Sequence, residues 1–138
     1  MRVVIDTNVL VSGLRSRRGP SFSLIANLPA AQFQPVVSSP LCFEYEDVLK
    51  RPGLLRALTS EDVDDFLNYF LQQSIECKIH FLWRPYLADP KDDMLLELAL
   101  AGSAQFIVTF NIHDFAGAEN LGIRAVTPRD FLAIILKL

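Results

Sequence analysis

Cysteine and histidine are scarce in this chain, two of each among 138 residues, and neither type clusters. Cys42 and Cys77 stand alone, without the short spacings that bind zinc or the pattern of a disulfide framework. They read as small core residues in a reducing, cytoplasmic setting. No uncharged apolar run approaches the ~18 residues needed to cross a bilayer, so no membrane segment is expected. A positive charge excess is also missing. At a net charge of −3 the chain is no polycation, and any contact with nucleic acid has to come from a local patch. Repeats, low-complexity tracts and linkers are absent. The N-terminus passes from one arginine into an apolar β-branched run with no small-residue cleavage site, so no secretory leader is expected. What remains is a single domain over 1–138 with a well-filled core, 51% hydrophobic and of positive mean hydropathy, +0.27. A chain of this length buries roughly two-thirds of its unfolded surface, and the apolar excess hints at an interface.

The first fourteen residues organise the rest. Val3-Val4-Ile5 is short and β-branched, as in a strand buried on both faces, and it ends abruptly in Asp6-Thr7-Asn8. Asp6 is therefore expected at the C-terminal end of a central strand, where it either caps the next helix or faces a ligand. The pattern recurs at Phe106 to Thr109, followed by Phe110-Asn111-Ile112-His113-Asp114. If the two strands are parallel, their polar termini share one edge of a sheet. Between them the spacing predicts a short helix after Val9, a helix opened by Gly19-Pro20 and a strand over 35–38. A helix follows from Ser38-Ser39-Pro40 with Leu41, Tyr45, Val48 and Leu49 inward, and Pro52-Gly53 stops it. Thr59-Ser-Glu-Asp62 reads as a capping box, and Val63, Phe66, Leu67, Phe70 and Leu71 form the core stripe of the fourth helix. Ile75, Cys77, Ile79 and Phe81 alternate with polar residues as an edge strand would. A fifth helix begins at Asp89-Pro90 and ends at Gly102. A loop or short helix lies between Phe115 and Asn120, a last strand runs over 122–126, and a terminal helix follows Thr127-Pro128. Alternating strands and helices imply an α/β fold with a mostly parallel sheet.

Four places bring an acidic or amide group to a strand end or a first helical turn: Asp6, Glu44, the group Asp89/Asp92/Asp93, and Asn111/Asp114. Carboxylates gathered together repel, and a hard divalent cation neutralises them most simply. An all-oxygen set suits Mg²⁺ or Mn²⁺ over Zn²⁺. Glu46 and Asp47 have Lys50 and Arg51 at i+4, whereas Glu44 has no such partner and faces Leu41 and Val48, which makes it the better ligand candidate. Asp92 aligns with Leu95, Leu96 and Ala99, although Asp89-Pro-Lys-Asp92 can equally be a capping box. Asp93 lines up partly with Glu97. Arg15, Arg17 and Arg18 form one basic loop, and Lys50, Arg51 and Arg56 another cluster; each either contacts phosphate or is a solvated surface. Trp83 and Tyr86 either stack on bases or fill a gap in the core or an interface. His80 and His113 read as peripheral.

Four stretches in order resemble the successive motifs of the PIN domain: Val3-Val-Ile-Asp6-Thr-Asn-Val-Leu10, the segment from Ser38 through Glu44 to Pro52, Asp89-Pro-Lys-Asp92-Asp through Gly102, and Ile107-Val-Thr-Phe-Asn111-Ile-His-Asp114-Phe115. The closing Thr127-Pro-Arg-Asp-Phe-Leu132 fits as well. The chain is most similar to VapC-like members, the toxins of toxin-antitoxin pairs. The resemblance implies a three-layer α/β/α sandwich and a Mg²⁺- or Mn²⁺-dependent ribonuclease acting on RNA, often a homodimer and often inhibited by a small antitoxin protein. It carries the family's acids onto Asp6, Glu44 and Asp92, with Asp93 as the adjacent alternative. The fourth acid falls on Asn111, a departure that leaves Asn111 or Asp114 to take that place. The rival expectation is a PIN-like module that binds RNA or protein without cleaving. A receiver- or phosphatase-like domain is disfavoured, because no Asp-x-Asp follows the first strand and no lysine is suitably placed after a later one.

Overall fold

The computed structural model describes residues 1–79 and 86–137. Five short strands, β1 (Arg2–Ile5), β2 (Gln34–Val37), β3 (Ile75–Glu76), β4 (Phe106–Val108) and β5 (Arg124–Val126), form one sheet in the order β3-β2-β1-β4-β5. Every neighbouring pair is parallel, with Val3 opposite Phe106 and Ile5 opposite Val108. The helices are α1 (Thr7–Arg15), α2 (Pro20–Ala26), α3 (Ser39–Leu49), α4 (Ser60–Gln72), α5 (Pro90–Ala101) and α6 (Pro128–Ile135). They flank the sheet in a three-layer α/β/α sandwich. β1 is central, as expected, and Val3, Val4 and Ile5 are fully buried.

The connectivity decides where a site can form. From β1 the chain steps outward to β2 and β3, then returns through α5 to β4 on the other side of β1. The strand order therefore reverses between β1 and β4, and their carboxyl ends open a crevice there, the usual ligand position in an open parallel sheet. α5 packs on β1, β2 and β4 beneath that crevice, α3 packs on α1 and α4, and α2 bridges α1 to α6. Tyr45 of α3 is fully buried, edge-on to Phe70 of α4 at 5.7 Å between ring centres, and its hydroxyl donates to the Ile5 carbonyl. That bond pins α3 to the end of β1 and brings the neighbouring Glu44 to Asp6. Gly13 sits inside α1; a Cβ there would stand 2.6 Å from Ile25 Cδ1, so glycine permits the close α1–α2 approach.

The expected elements recur with shifted ends. The Thr59–Asp62 capping box of α4 forms in both directions. Ser38 leaves β2 to cap α3, its hydroxyl accepting from the Leu41 amide. β3 is the edge strand, but it covers only two residues: β2 ends at Val37, and the Cys77 amide makes the last bond to the Val37 carbonyl at 2.8 Å. Cys77 to Ile79 are consequently not strand, and the continuation expected through His80 and Phe81 lies outside the described residues, as do Trp83 and Arg84. Short 3-10 turns at Ile112–Phe115 and Ala118–Leu121 connect β4 to β5. Among the described residues no helix is long and apolar enough to cross a membrane.

Candidate active site

The crevice at the β1/β4 switch point is a cavity of about 770 Å³, and the acids singled out in the sequence meet in its wall. Asp6 arrives from the end of β1, Glu44 from α3, Asp92 from the first turn of α5, and Asn111 and Asp114 from the turn after β4. Asp89 lines it too. Asp93 is not brought in: it is 1% exposed, and its Oδ1 accepts from the Leu87 amide at 2.8 Å and the Tyr86 amide at 3.4 Å. The carboxylate thus ties down the segment that leads into α5. His113 is exposed and outside the cavity wall.

Neither Asp6 nor Asp92 serves as a side-chain cap. Asp6 occupies the N-cap position of α1 but makes no side-chain capping bond; its Oδ2 instead accepts from the Thr109 hydroxyl at 2.8 Å. The same Thr109 oxygen accepts the Asn111 amide at 3.0 Å, so one buried hydroxyl links the ends of β1 and β4. Asp89 caps α5 by accepting from the Lys91 amide at 2.9 Å, and no capping box with Asp92 forms. Asp92 is left without a hydrogen bond or ion pair among the described residues, facing the cavity. Glu44 accepts the Thr7 hydroxyl. Its neighbours behave as their spacing predicts: Glu46 pairs with Lys50 at 3.2 Å and Asp47 with Arg51 at 3.3 Å.

The electrostatics follow from this crowding. Burial, then the charges of Asp114, Asp89, Asp6 and Asp93, push the Asp92 carboxyl up to about 6. Burial likewise raises Asp6 above the ordinary aspartate value, reinforced by Glu44 and Asp114 and opposed by the Thr109 hydrogen bond. Among the described residues no three acidic, histidine or cysteine side chains are drawn close enough to hold an ion by themselves. The donors are nevertheless all oxygens, their neighbours' charges raise the proton affinity of Asp6 and Asp92, and Asn8 beside them carries a buried Oδ1 with no partner among the described residues. This set fits a hydrated hard cation, with one or two carboxylates bound directly and other donors reached through water.

Thr109, Arg51 and Lys91 are the site groups that sequence reasoning did not assign to this cavity. Thr109 was legible in principle, because a threonine accepting the amide two residues on is a recognised local turn. Tyr86, half over Gly117, donates its hydroxyl to the Gly117 carbonyl at 2.9 Å, which supports a packing role for that ring.

A family model described as PIN domain matches residues 2–113. No curated protein matches the chain. Among solved structures, the crystal structure of VapBC2 from Rickettsia felis bound to a DNA fragment from their promoter is similar with a TM-score of 0.65. It covers 92% of this chain and 98% of that chain at 16% identity, a likeness of fold. Since the family match runs from β1 to the turn carrying Asn111 and encloses Asp6, Glu44 and Asp92, the chain belongs to the PIN domain family.

Proposed function

We propose that the protein is a divalent-metal-dependent endoribonuclease that hydrolyses RNA phosphodiester bonds and serves as the toxin of a toxin-antitoxin pair. The observation that carries this reading is the convergence of Asp6, Glu44, Asp92 and Asp114 in one cavity at the topological switch point. Four separate elements supply them, and nothing in the core requires their meeting. Asp6, Glu44 and Asp92, with Asn111 or Asp114 completing the set, are the groups that would hold Mg²⁺ or Mn²⁺. When bound, such an ion activates a water for attack on phosphorus and offsets the negative charge that grows on the phosphate oxygens.

The chain's own part is positioning. Thr109 and Thr7 fix the rotamers of Asp6 and Glu44 by donating to their carboxylates, so these do not have to be ordered when substrate arrives. Lys91 and Arg51 line the same cavity and place cationic groups where a phosphate would approach. Protein partners belong to the proposal as well. The similar structure is described as a VapBC2 assembly, and Phe43, 73% exposed on α3 one residue from Glu44, supports a surface that an antitoxin or a second copy covers.

One observation favours a second reading. Asn111 stands where the family pattern has an acid, which fits a PIN module that binds RNA or protein without cutting. Cleavage of a mixed, labelled RNA pool with Mn²⁺, Mg²⁺ or EDTA, beside Asp6→Asn, separates the two. The nuclease cuts only with metal and loses cutting on substitution. A variant that cut at the parent rate would remove Asp6 from the site, and no cutting in any condition would favour the second reading.

A further inference from the structure

The acidic cavity presents a difficulty for its own substrate. Five carboxylates line it, so it repels every phosphate of a polyanion except the one facing a bound cation. The flanking phosphates need a cationic surface nearby. The cavity continues across Gly53 and Leu54, which line both spaces, into an adjoining groove of about 390 Å³. Among the described residues no acid lines that groove, and its polar side chains are Arg15 and Arg56.

Arg56 differs from the other basic residues of its cluster, and of the Arg15, Arg17 and Arg18 loop it is Arg15 that lines the groove. Lys50 is engaged by Glu46 at 3.2 Å and by Asp64 at 2.6 Å, and Arg51 by Asp47. Arg15 and Arg56 are exposed and enter no ion pair among the described residues. Arg15 closes the last turn of α1, the helix whose first residue, Thr7, holds Glu44. One rigid helix therefore joins the two sites, its nine residues separating them by roughly 12 Å at 1.5 Å per residue. That is roughly three stacked nucleotides at 3.4 Å each. The half-buried Leu14, Leu54 and Leu58 supply apolar floor for sugars and bases.

Resting on the ribonuclease reading, we infer that single-stranded RNA runs from the acidic cavity over the Gly53–Leu54 saddle into this groove, where Arg15 and Arg56 hold phosphates flanking the scissile one. Guanidinium groups suit this task because their planar fork matches phosphate oxygens. Lys91 then serves the reacting phosphate, and Arg15 and Arg56 set the direction in which the strand lies.

The test uses the full-length Asp6→Asn protein, so that RNA is bound and not cut, and a fluorescent single-stranded RNA oligomer titrated between 50 and 200 mM KCl. Each phosphate contact on a single strand contributes about 0.7 to the slope of log affinity against log salt. Arg15→Gln/Arg56→Gln should therefore reduce the slope by about 1.4 and weaken binding at least tenfold at 100 mM, with each single change giving about half the slope effect. Arg124→Gln, at the amino end of β5 and so away from the carboxyl-end crevice, is the control for lost charge and should leave the slope in place. A folded double variant with unchanged affinity and slope would overturn the inference and free the groove for a protein partner. Cleavage by the unsubstituted protein distinguishes the failures: cutting with an unchanged slope sinks the groove alone, whereas neither cutting nor binding sinks the ribonuclease reading.

Discussion

At the scale of single residues, Thr109 shows how a group without charge can govern one that has it. It is fully buried, and its hydroxyl donates to Asp6 while accepting from the Asn111 amide. Burial and the neighbouring carboxylates raise the Asp6 pKa; the Thr109 bond is the largest influence holding it down. Thr109→Val keeps the shape and removes that bond. A hydrogen bond to a charged group favours the ionised form, so the Asp6 pKa should climb further when it is lost. If cleavage requires ionised Asp6, the acid limb of the pH–rate profile shifts to higher pH, while Thr109→Ser stays near the parent. An acid limb that does not move in Thr109→Val would show that Asp6 ionisation does not set the limb.

At the scale of elements, α5 has to be seated accurately, since it carries Asp92 to the cavity at one end and docks on the sheet at the other. Gly102 ends it in a crowded place: an added Cβ would lie 2.8 Å from Val36 Cγ1, 3.1 Å from the Leu98 carbonyl and 3.2 Å from Cys77 Sγ. Val36 is buried and β-branched, so it yields poorly. Gly102→Ala should cost about 1–3 kcal/mol, read as a lower urea midpoint with an unchanged slope. Elements of this kind were legible in the sequence wherever local chemistry agreed with burial. The α4 stripe and capping box, the Pro-opened helices and the β-branched run of β1 all announce themselves. Asp6 and Glu44 were legible as candidates for a related reason, Asp6 as an acid ending a buried strand and Glu44 as an inward acid lacking a basic partner on its own helix. The extent of β3 was not, because alternation continues past the point where β2 stops offering partners. Asp92 and Asp93 were hard to separate because a helix brings adjacent residues 100° apart, and only the packing of the segment before α5 decides which one turns inward. That contact, from Asp93 to the Tyr86 and Leu87 amides, has no periodicity to betray it.

At the scale of the whole molecule, the clustered acids oppose the stability of the fold that holds them. The Asp92 pKa rises from 3.8 to about 6 on folding, and that of Asp6 also rises. A raised carboxyl pKa means that the folded chain retains protons the unfolded chain has released. Between about pH 4 and pH 6 the native state therefore binds more protons, and stability falls as pH rises through that window, the reverse of the usual paired carboxylate. A two-unit shift corresponds to ~3 kcal/mol, but Asp92 is partly open to water, and screening leaves roughly 1 kcal/mol. In EDTA the protein should melt about 3–5 °C higher at pH 5 than at pH 7.5. Asp92→Asn should raise the pH 7.5 melt by a similar amount and flatten the dependence. Mg²⁺ is expected to reverse the pattern, because a ligand that binds only the folded state stabilises it by mass action. The unsubstituted protein at pH 7.5 should then gain melting temperature on adding Mg²⁺, and Asp92→Asn should gain little. A melt that rises from pH 5 to pH 7.5 without metal would contradict the crowding of these carboxylates, and a melt indifferent to Mg²⁺ would leave the repulsion unrelieved and favour the non-cleaving module.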